Sequence, residues 1–344
     1  MTWDAYRSPV PSVLEATGHT PLVRLTRVAP KDFDVFAKVE WYGPTGSVKD
    51  RIYRHMLDEA ERRGELRPGM TIIECSTGNA GIACSAVAAM KGYRCVIVLP
   101  EGMSTERKRM IEAYGATLEL TPGAGTDIDL AFARMREIVR SDPSAYFFPG
   151  EFVNPGNVEA QMVSGEEIWE QTGGVLDAVV ASHGTGGWIT GAARALKARD
   201  AKVQAFAVEP AECPLISERR WGNHGVPGIS DGIVPPNLDL RLIDGIVTVS
   251  TEEALRTARR LASEEGLLAG PSGGLNVAAT VKVARKHTEF RRIVTVIPDT
   301  GQRYLSGELF GETERSPLPE RHRELDPDSL AHIEANRDRM EFID

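Results

Sequence analysis

From about residue 70 onward, short apolar runs alternate with stretches in which apolar residues recur at helical spacing. Met70-Thr71-Ile72-Ile73-Glu74-Cys75, Arg94 to Pro100 and Thr117-Leu118-Glu119-Leu120 read as strands, and Gly81 to Met90 and Thr105 to Tyr114 between them read as helices. The second half repeats the theme. Leu176 to Ser182, Val203 to Val208, Ile246 to Val249 and Ile293 to Ile297 are predicted strands. Thr251 to Glu265 is the clearest helix, with Thr251 as its N-cap and Glu252 and Glu253 near the positive end of its dipole. Such alternation builds βαβ units around a parallel sheet. Near-continuous runs such as Ile97-Val98-Leu99 and Val179-Val180-Ala181 suit strands buried on both faces. The expectation is an α/β protein of two lobes, each a largely parallel sheet flanked by helices.

Composition narrows the class of partner. A chain of 344 residues has room for two domains, and 42% apolar with 26% charged residues is ordinary for a globular protein. A net charge of −9 argues against a nucleic-acid backbone or an anionic membrane surface and for a small-molecule ligand. Cys75, Cys84, Cys95 and Cys213 form no metal or disulfide pattern and read as buried thiols of a reducing cytoplasm. The first residues, Met1 to Arg7, lack the features of a signal peptide, so a cytoplasmic location is expected. Glu312 to Asp344 holds ten acidic and five basic residues, −5 of the −9. Residues 311–344 are therefore expected to be an acidic C-terminal tail, solvated or crossing to another subunit, with one short helix capped by Asp326 and begun by Pro327.

Four loops carry candidate chemistry. Lys49, in Thr45-Gly46-Ser47-Val48-Lys49-Asp50-Arg51, lies between the strand-like Val35 to Glu40 and a helical pattern, where a partly desolvated amine is placed to condense with an aldehyde. Ser76-Thr77-Gly78-Asn79-Ala80-Gly81 offers backbone donors, hydroxyls and an amide suited to a carboxylate and a phenolic oxygen, or else a plain helix cap. Gly184-Thr185-Gly186-Gly187 follows a strand and opens a helix pattern over Ile189 to Lys197, which reads as a phosphate site or a tight turn. It matches neither the dinucleotide fingerprint nor the P-loop. Ser272, in Pro271-Ser272-Gly273-Gly274, either caps a helix or offers a neutral hydroxyl to a ring nitrogen. Pro298-Asp299-Thr300-Gly301 ends another strand, where ligands of parallel sheets gather.

In order, from about residue 13 to 310, these segments resemble the fold type II pyridoxal-phosphate enzymes, and within them the cysteine synthase and cystathionine β-synthase group. The resemblance rests on Gly18 to Leu25, Gly46 to Arg51, the Asn79 loop, Asn154-Pro155-Gly156-Asn157, Gly184 to Gly187, Glu209-Pro210, the Ser272 loop and Pro298 to Ser306. It implies a tryptophan synthase β-like fold. A larger cofactor domain would comprise 1–48 and 150–310 and a smaller substrate domain 49–149. The implied assembly is a homodimer. Carried over, the resemblance makes Lys49 the cofactor-bound lysine and α-proton carrier. Asn79 meets the cofactor's 3′ oxygen, Gly184, Thr185, Gly186, Gly187 and Trp188 form the phosphate loop, and Ser272 faces the pyridine nitrogen. Ser76, Thr77 and Asn79 hold the substrate carboxylate. The implied reaction is β-replacement on a serine derivative such as O-acetylserine or O-phosphoserine, through an aminoacrylate that a thiol or sulfide then attacks.

The same resemblance exposes departures. Trp188 and Ala80 stand where threonines are usual, and Glu151 stands where a glutamine borders the substrate carboxylate, which an ionised glutamate would repel. Asp231 falls on a second substrate-bordering loop. Glu151 and Asp231 either favour an atypical donor or a cationic nucleophile such as an amine, or are solvated loop acids. Two other functions compete: a β-eliminating lyase of the dehydratase or desulfhydrase kind, and a non-catalytic cofactor-binding scaffold.

Overall fold

The computed structural model describes residues 9–123, 128–230, 232–305, 307, 309–310 and 325–344. The chain divides into two compact units, one of residues 19–41 and 161–344, the other of 2–18 and 42–160. Strands β1 (Leu22–Leu25) and β2 (Asp34–Val39) pair antiparallel in the first unit. The second unit contains α1 (Lys49–Arg62), β3 (Thr71–Cys75), α2 (Asn79–Met90), β4 (Arg94–Pro100), α3 (Thr105–Ala113), β5 (Thr117–Thr121), α4 (Ile128–Ser141) and β6 (Tyr146–Phe147). Its four strands form one parallel sheet in the order β5-β4-β3-β6. Side chains alternate across β3, so Ile72 joins Tyr53, Leu57, Ile82 and Ile97 on one face, while Ile73 joins Val98, Ala131 and Met135 on the other. An apolar run without polar alternation is thus explained by helices covering both faces.

After α5 (Pro155–Gln171) come β7 (Ala178–Ser182), α6 (Gly187–Arg199), β8 (Gln204–Pro210), β9 (Gly245–Val249), α7 (Thr251–Glu265), α8 (Pro271–Lys286), β10 (Arg292–Ile297), α9 (Pro327–Glu334) and β11 (Glu341–Ile343). The first unit's sheet runs β1-β2-β10-β7-β8-β9-β11, parallel apart from β1. Leu275, Ala279 and Val283 of α8 pack on Val180, Val208, Val247 and Ile293, and Val277 packs with Val35, Val39 and Ile297.

Three expectations need correction. Residues 325–344 are not an appendage: Asp326 caps α9, and Glu341, Phe342 and Ile343 pair with Gly245, Ile246 and Val247 to complete the sheet edge. The acidic composition misled because the apolar anchors, Ile333, Met340 and Ile343, are few and widely spaced. Residues 311–324 lie outside the described part. Helix α7 is capped by Ser250, whose hydroxyl accepts from Glu253 N–H, and Thr251 is its first helical residue. The division between the units also differs from the one expected, since 42–48 and 150–160 fall with α1 to α4. Lys49 sits at the very start of α1, separated from the last residue of β2 by the nine residues 40–48, and not on a tight strand-to-helix turn.

Lys38 of β2 is fully buried, and its ammonium donates to Thr20 O (2.7 Å), Glu167 Oε2 (2.6 Å) and Gln171 Oε1 (2.9 Å). Those three acceptors match its three protons. Glu167 also accepts from His19 N–H at 3.0 Å, which ties the Gly18 to Leu25 segment to α5. Lys38→Met strands the Glu167 carboxylate, and urea unfolding should show a loss of about 3–5 kcal/mol. Gly274 lets α8 approach α7, since a Cβ there would lie 2.1 Å from Ala254 O and 2.6 Å from Ala258 N. Gly274→Ala should lower stability by about 1–3 kcal/mol in thermal melts, because backbone must move to accept the methyl.

Candidate active site

In the second unit, Gly46 takes a left-handed φ of 72°, and α1 then begins at Lys49 behind Val48, with no side-chain cap. Asp50 fixes this turn by accepting from Thr45 N–H at 3.0 Å and from the Thr45 hydroxyl. A side chain at Gly43 would collide with the Asp50 carboxylate. Lys49 itself is half-buried, and its Nζ donates to Glu151 Oε2 at 2.7 Å. Glu151 is only 4% exposed, so it is no solvated loop acid.

The backbone explains how Glu151 is delivered there. Gly150 is left-handed (φ 67°), its carbonyl accepts from Val153 N–H and Asn154 N–H, and Asn157 Nδ2 donates to Glu151 O at 2.8 Å. The Gly150 N–H is taken by Glu74, which also accepts from Tyr53 OH (3.0 Å) and Cys75 N–H (2.9 Å). Burial, and after it the charge of Glu151, push the Glu74 carboxyl up to about 8 against those donors. The Tyr53 hydroxyl is raised well above its ordinary range by burial and by the charges of Glu151 and Glu74. Neither Glu74 nor Tyr53 was singled out from the sequence. The available signal was one acid inside the apolar run Ile72-Ile73-Glu74-Cys75.

Ser76, buried at the end of β3, shapes the loop that follows: its hydroxyl oxygen accepts from Gly78 N–H (3.1 Å) and Gly81 N–H (2.9 Å). Thr77 and Asn79 are half-buried there, and Ala80 points into the core with Ile82 and Ile97. The Arg107 side chain of α3 passes beside Gly78, where an added Cβ would meet it at 3.3 Å. Nothing in the local sequence signalled this cation beside the loop.

In the first unit, β7 leads into Gly184-Thr185-Gly186-Gly187 and α6. A Cβ on Gly184 would stand 2.4 Å from Gly228 O, and one on Gly186 (φ 77°) 2.6 Å from Leu238 N, so bare backbone is required at both. Asn276 of α8 binds this loop's base from below, accepting from Ser182 N–H (2.7 Å) and donating to Val296 O (3.0 Å). Ser272 is buried in the first turn of α8, whose N-cap is Gly270, so capping is not its role. The Pro298 to Gly301 segment adjoins that helix start, with Gly301 N–H on Leu268 O and Gly270 N–H on Asp299 O. Trp188 places an indole N–H, not a hydroxyl, on the first turn of α6, buried and without an acceptor. Asp231 lies outside the described residues.

A common feature links these loops. Ser104, Ser250 and Asp326 cap α3, α7 and α9 with their side chains, and each of those helices carries an acid in its first turn. Helices α2, α6 and α8 begin behind Gly78, Gly186 and Gly270, which have no side chain to cap with, and carry no acid in the first turn, although at α2 the Ser76 hydroxyl takes the Gly81 N–H. Open N–H groups and a positive dipole end are what a phosphate, a carboxylate and a phenolate require.

Comparison with known proteins agrees. A family model described as pyridoxal-phosphate dependent enzyme matches residues 13–299. Cysteine synthase A of Salmonella typhi is 44% identical over 305 residues, covering 86% of this chain and 94% of that protein. The crystal structure of an O-ureido-L-serine synthase superposes with a TM-score of 0.85 at 38% identity, covering 90% of this chain and 98% of that one. A hydrogen sulfide-producing enzyme of Fusobacterium nucleatum superposes with a TM-score of 0.82 at 32% identity, covering 86% and 100%.

Glu74 makes the site's stability depend on pH. Its folded pKa of about 8 exceeds the ordinary 4.5, so the folded state holds this proton more tightly than the unfolded chain does. The contribution is fully present below about 4.5 and is lost as pH rises toward 8, on the order of 4 kcal/mol in all. Glu74→Gln should therefore gain stability relative to the unaltered protein between pH 5 and pH 8, measured by denaturant unfolding of the cofactor-free proteins.

Proposed function

The chain belongs to the pyridoxal-phosphate-dependent enzymes, of the cysteine synthase type, and from that premise we propose that it exchanges the β-substituent of an activated serine for a sulfur nucleophile. O-acetylserine and related β-O-substituted serines are the donors, and sulfide or a thiol is the acceptor. The observation that carries the reading is Lys49 at the start of α1 together with uncapped glycine-led helix starts at α2, α6 and α8.

Bound pyridoxal phosphate supplies an aldehyde that captures amino groups and an electron-accepting ring that acidifies the substrate's α-hydrogen. The residues of this chain divide the remaining work. The N–H groups of Gly184 to Gly187 and the α6 dipole hold the phosphate. Asn79 holds the phenolic oxygen, and Ser272 gives the ring nitrogen a neutral partner, which disfavours transamination. The α2 N-terminus, with Thr77 and Asn79, takes the substrate carboxylate, while Ser76 keeps that loop in shape. Lys49 Nζ attaches the cofactor and then carries the α-proton, a general acid–base role. The four buried thiols suit a reducing compartment, and the assembly is a homodimer, as the resemblance implies.

A second reading, β-elimination releasing sulfide or ammonia, is favoured by the likeness to the hydrogen sulfide-producing enzyme. Serine, O-acetylserine, O-phosphoserine and cysteine, mixed in turn with cofactor-loaded protein, should separate the two. Replacement gives a visible-absorbance change with one donor and a new amino acid only when sulfide or a thiol is added. Pyruvate release without a thiol would instead assign elimination. Lys49→Ala should lose the absorbance of covalently held cofactor and lower turnover by about a hundred- to ten-thousandfold.

A further inference from the structure

Glu151 is held too deliberately to be incidental. Its carboxylate lies 2.7 Å from Lys49 Nζ, its carbonyl is tied by Asn157, and the left-handed Gly150 before it is anchored through its N–H to Glu74. The groups facing it are Lys49 and Tyr53 from α1, Glu74 and Cys75 from β3 and Cys84 from α2. Glu74 is held neutral at pH 7 by burial. A buried carboxylate is costly unless it is paired, and the Lys49 amine lies 2.7 Å from this one.

In the reading proposed above, on which this inference rests, the substrate's α-amino group must take the place of Lys49 Nζ. An amino acid arrives with that group protonated, and an ammonium has no lone pair with which to attack. Whatever amine replaces Lys49 Nζ comes within reach of the carboxylate that Lys49 Nζ touches. We propose that Glu151 is a catalytic residue that receives the incoming substrate ammonium in exchange for that of Lys49 and removes its proton. The step balances: an N–H bond of the substrate breaks, an O–H bond forms on Glu151, the amine keeps the electron pair, and the same proton is available to Lys49 Nζ when that amine is released.

The test compares the unaltered protein with Glu151→Gln, which preserves size and hydrogen bonding, and Glu151→Asp, which preserves charge. With O-acetylserine as donor, kcat/KM of Glu151→Gln should fall about a hundredfold near pH 7. The deficit should close as pH rises past the substrate's own amine pKa, where free amine is delivered from solution, and Glu151→Asp should recover part of the loss. A second readout needs no turnover: in cofactor-free protein, acetic anhydride should acetylate Lys49 several-fold faster in Glu151→Gln, scored by peptide mass spectrometry. A deficit equal at every pH, or no deficit, overturns the proposal, as does unchanged Lys49 labelling. Should the unaltered protein take up no pyridoxal phosphate, the proposed function itself fails, and absorbance of the loaded protein reports that separately.

Discussion

The structure depends on how the chain begins its helices. An α-helix begins with N–H groups that have no partner within the helix, and most proteins close them with a side-chain oxygen. This chain does so at α3, α7 and α9, where Ser104, Ser250 and Asp326 serve. At α2, α6 and α8 it places glycine instead. Those helices are held by packing. Gly274 against α7 and Asn276 between β7 and β10 are the contacts that make α8 stable without a cap.

Around Lys49 the same logic takes an electrostatic form. Buried charges persist only when paired or neutralised, and the second unit uses both devices within a few residues. Glu151 is paired with Lys49, and Glu74 is neutralised by burial while its oxygens hold Tyr53, Cys75 and Gly150. The result is an amine at a defined place beside a buried carboxylate. In the first unit, Lys38 with Glu167 and Gln171 follows the same rule with no reacting group nearby in that cluster, and its role there is to hold the His19 segment. The two lysines are thus separated by their partners: buried Lys38 has three fixed acceptors, and half-buried Lys49 lies against the Glu151 carboxylate.

The departures from the family pattern change meaning once side chains are placed. Trp188 in place of threonine removes a hydroxyl but leaves a buried, unpartnered donor on the same turn of α6. Ala80 belongs to the core beneath α2 and does not alter the donor set of the loop above it. Glu151, expected to repel a carboxylate, has its charge met by Lys49, so its effect falls on amines first.

Much of this was legible in the chain alone. Apolar runs without polar alternation announced doubly covered parallel strands, and the glycine-rich segments after them announced the turns from β3 into α2 and from β7 into α6. What required the tertiary structure were relations between distant positions. Lys49 with Glu151 spans 102 residues, and Asn276 with Ser182 spans 94. Tyr53 and Glu74 lie on separate elements, and β11 finds β9 across the edge of a sheet. Periodicity and turn chemistry act over a few residues, whereas burial, pairing of charges and strand order are properties of the packed chain.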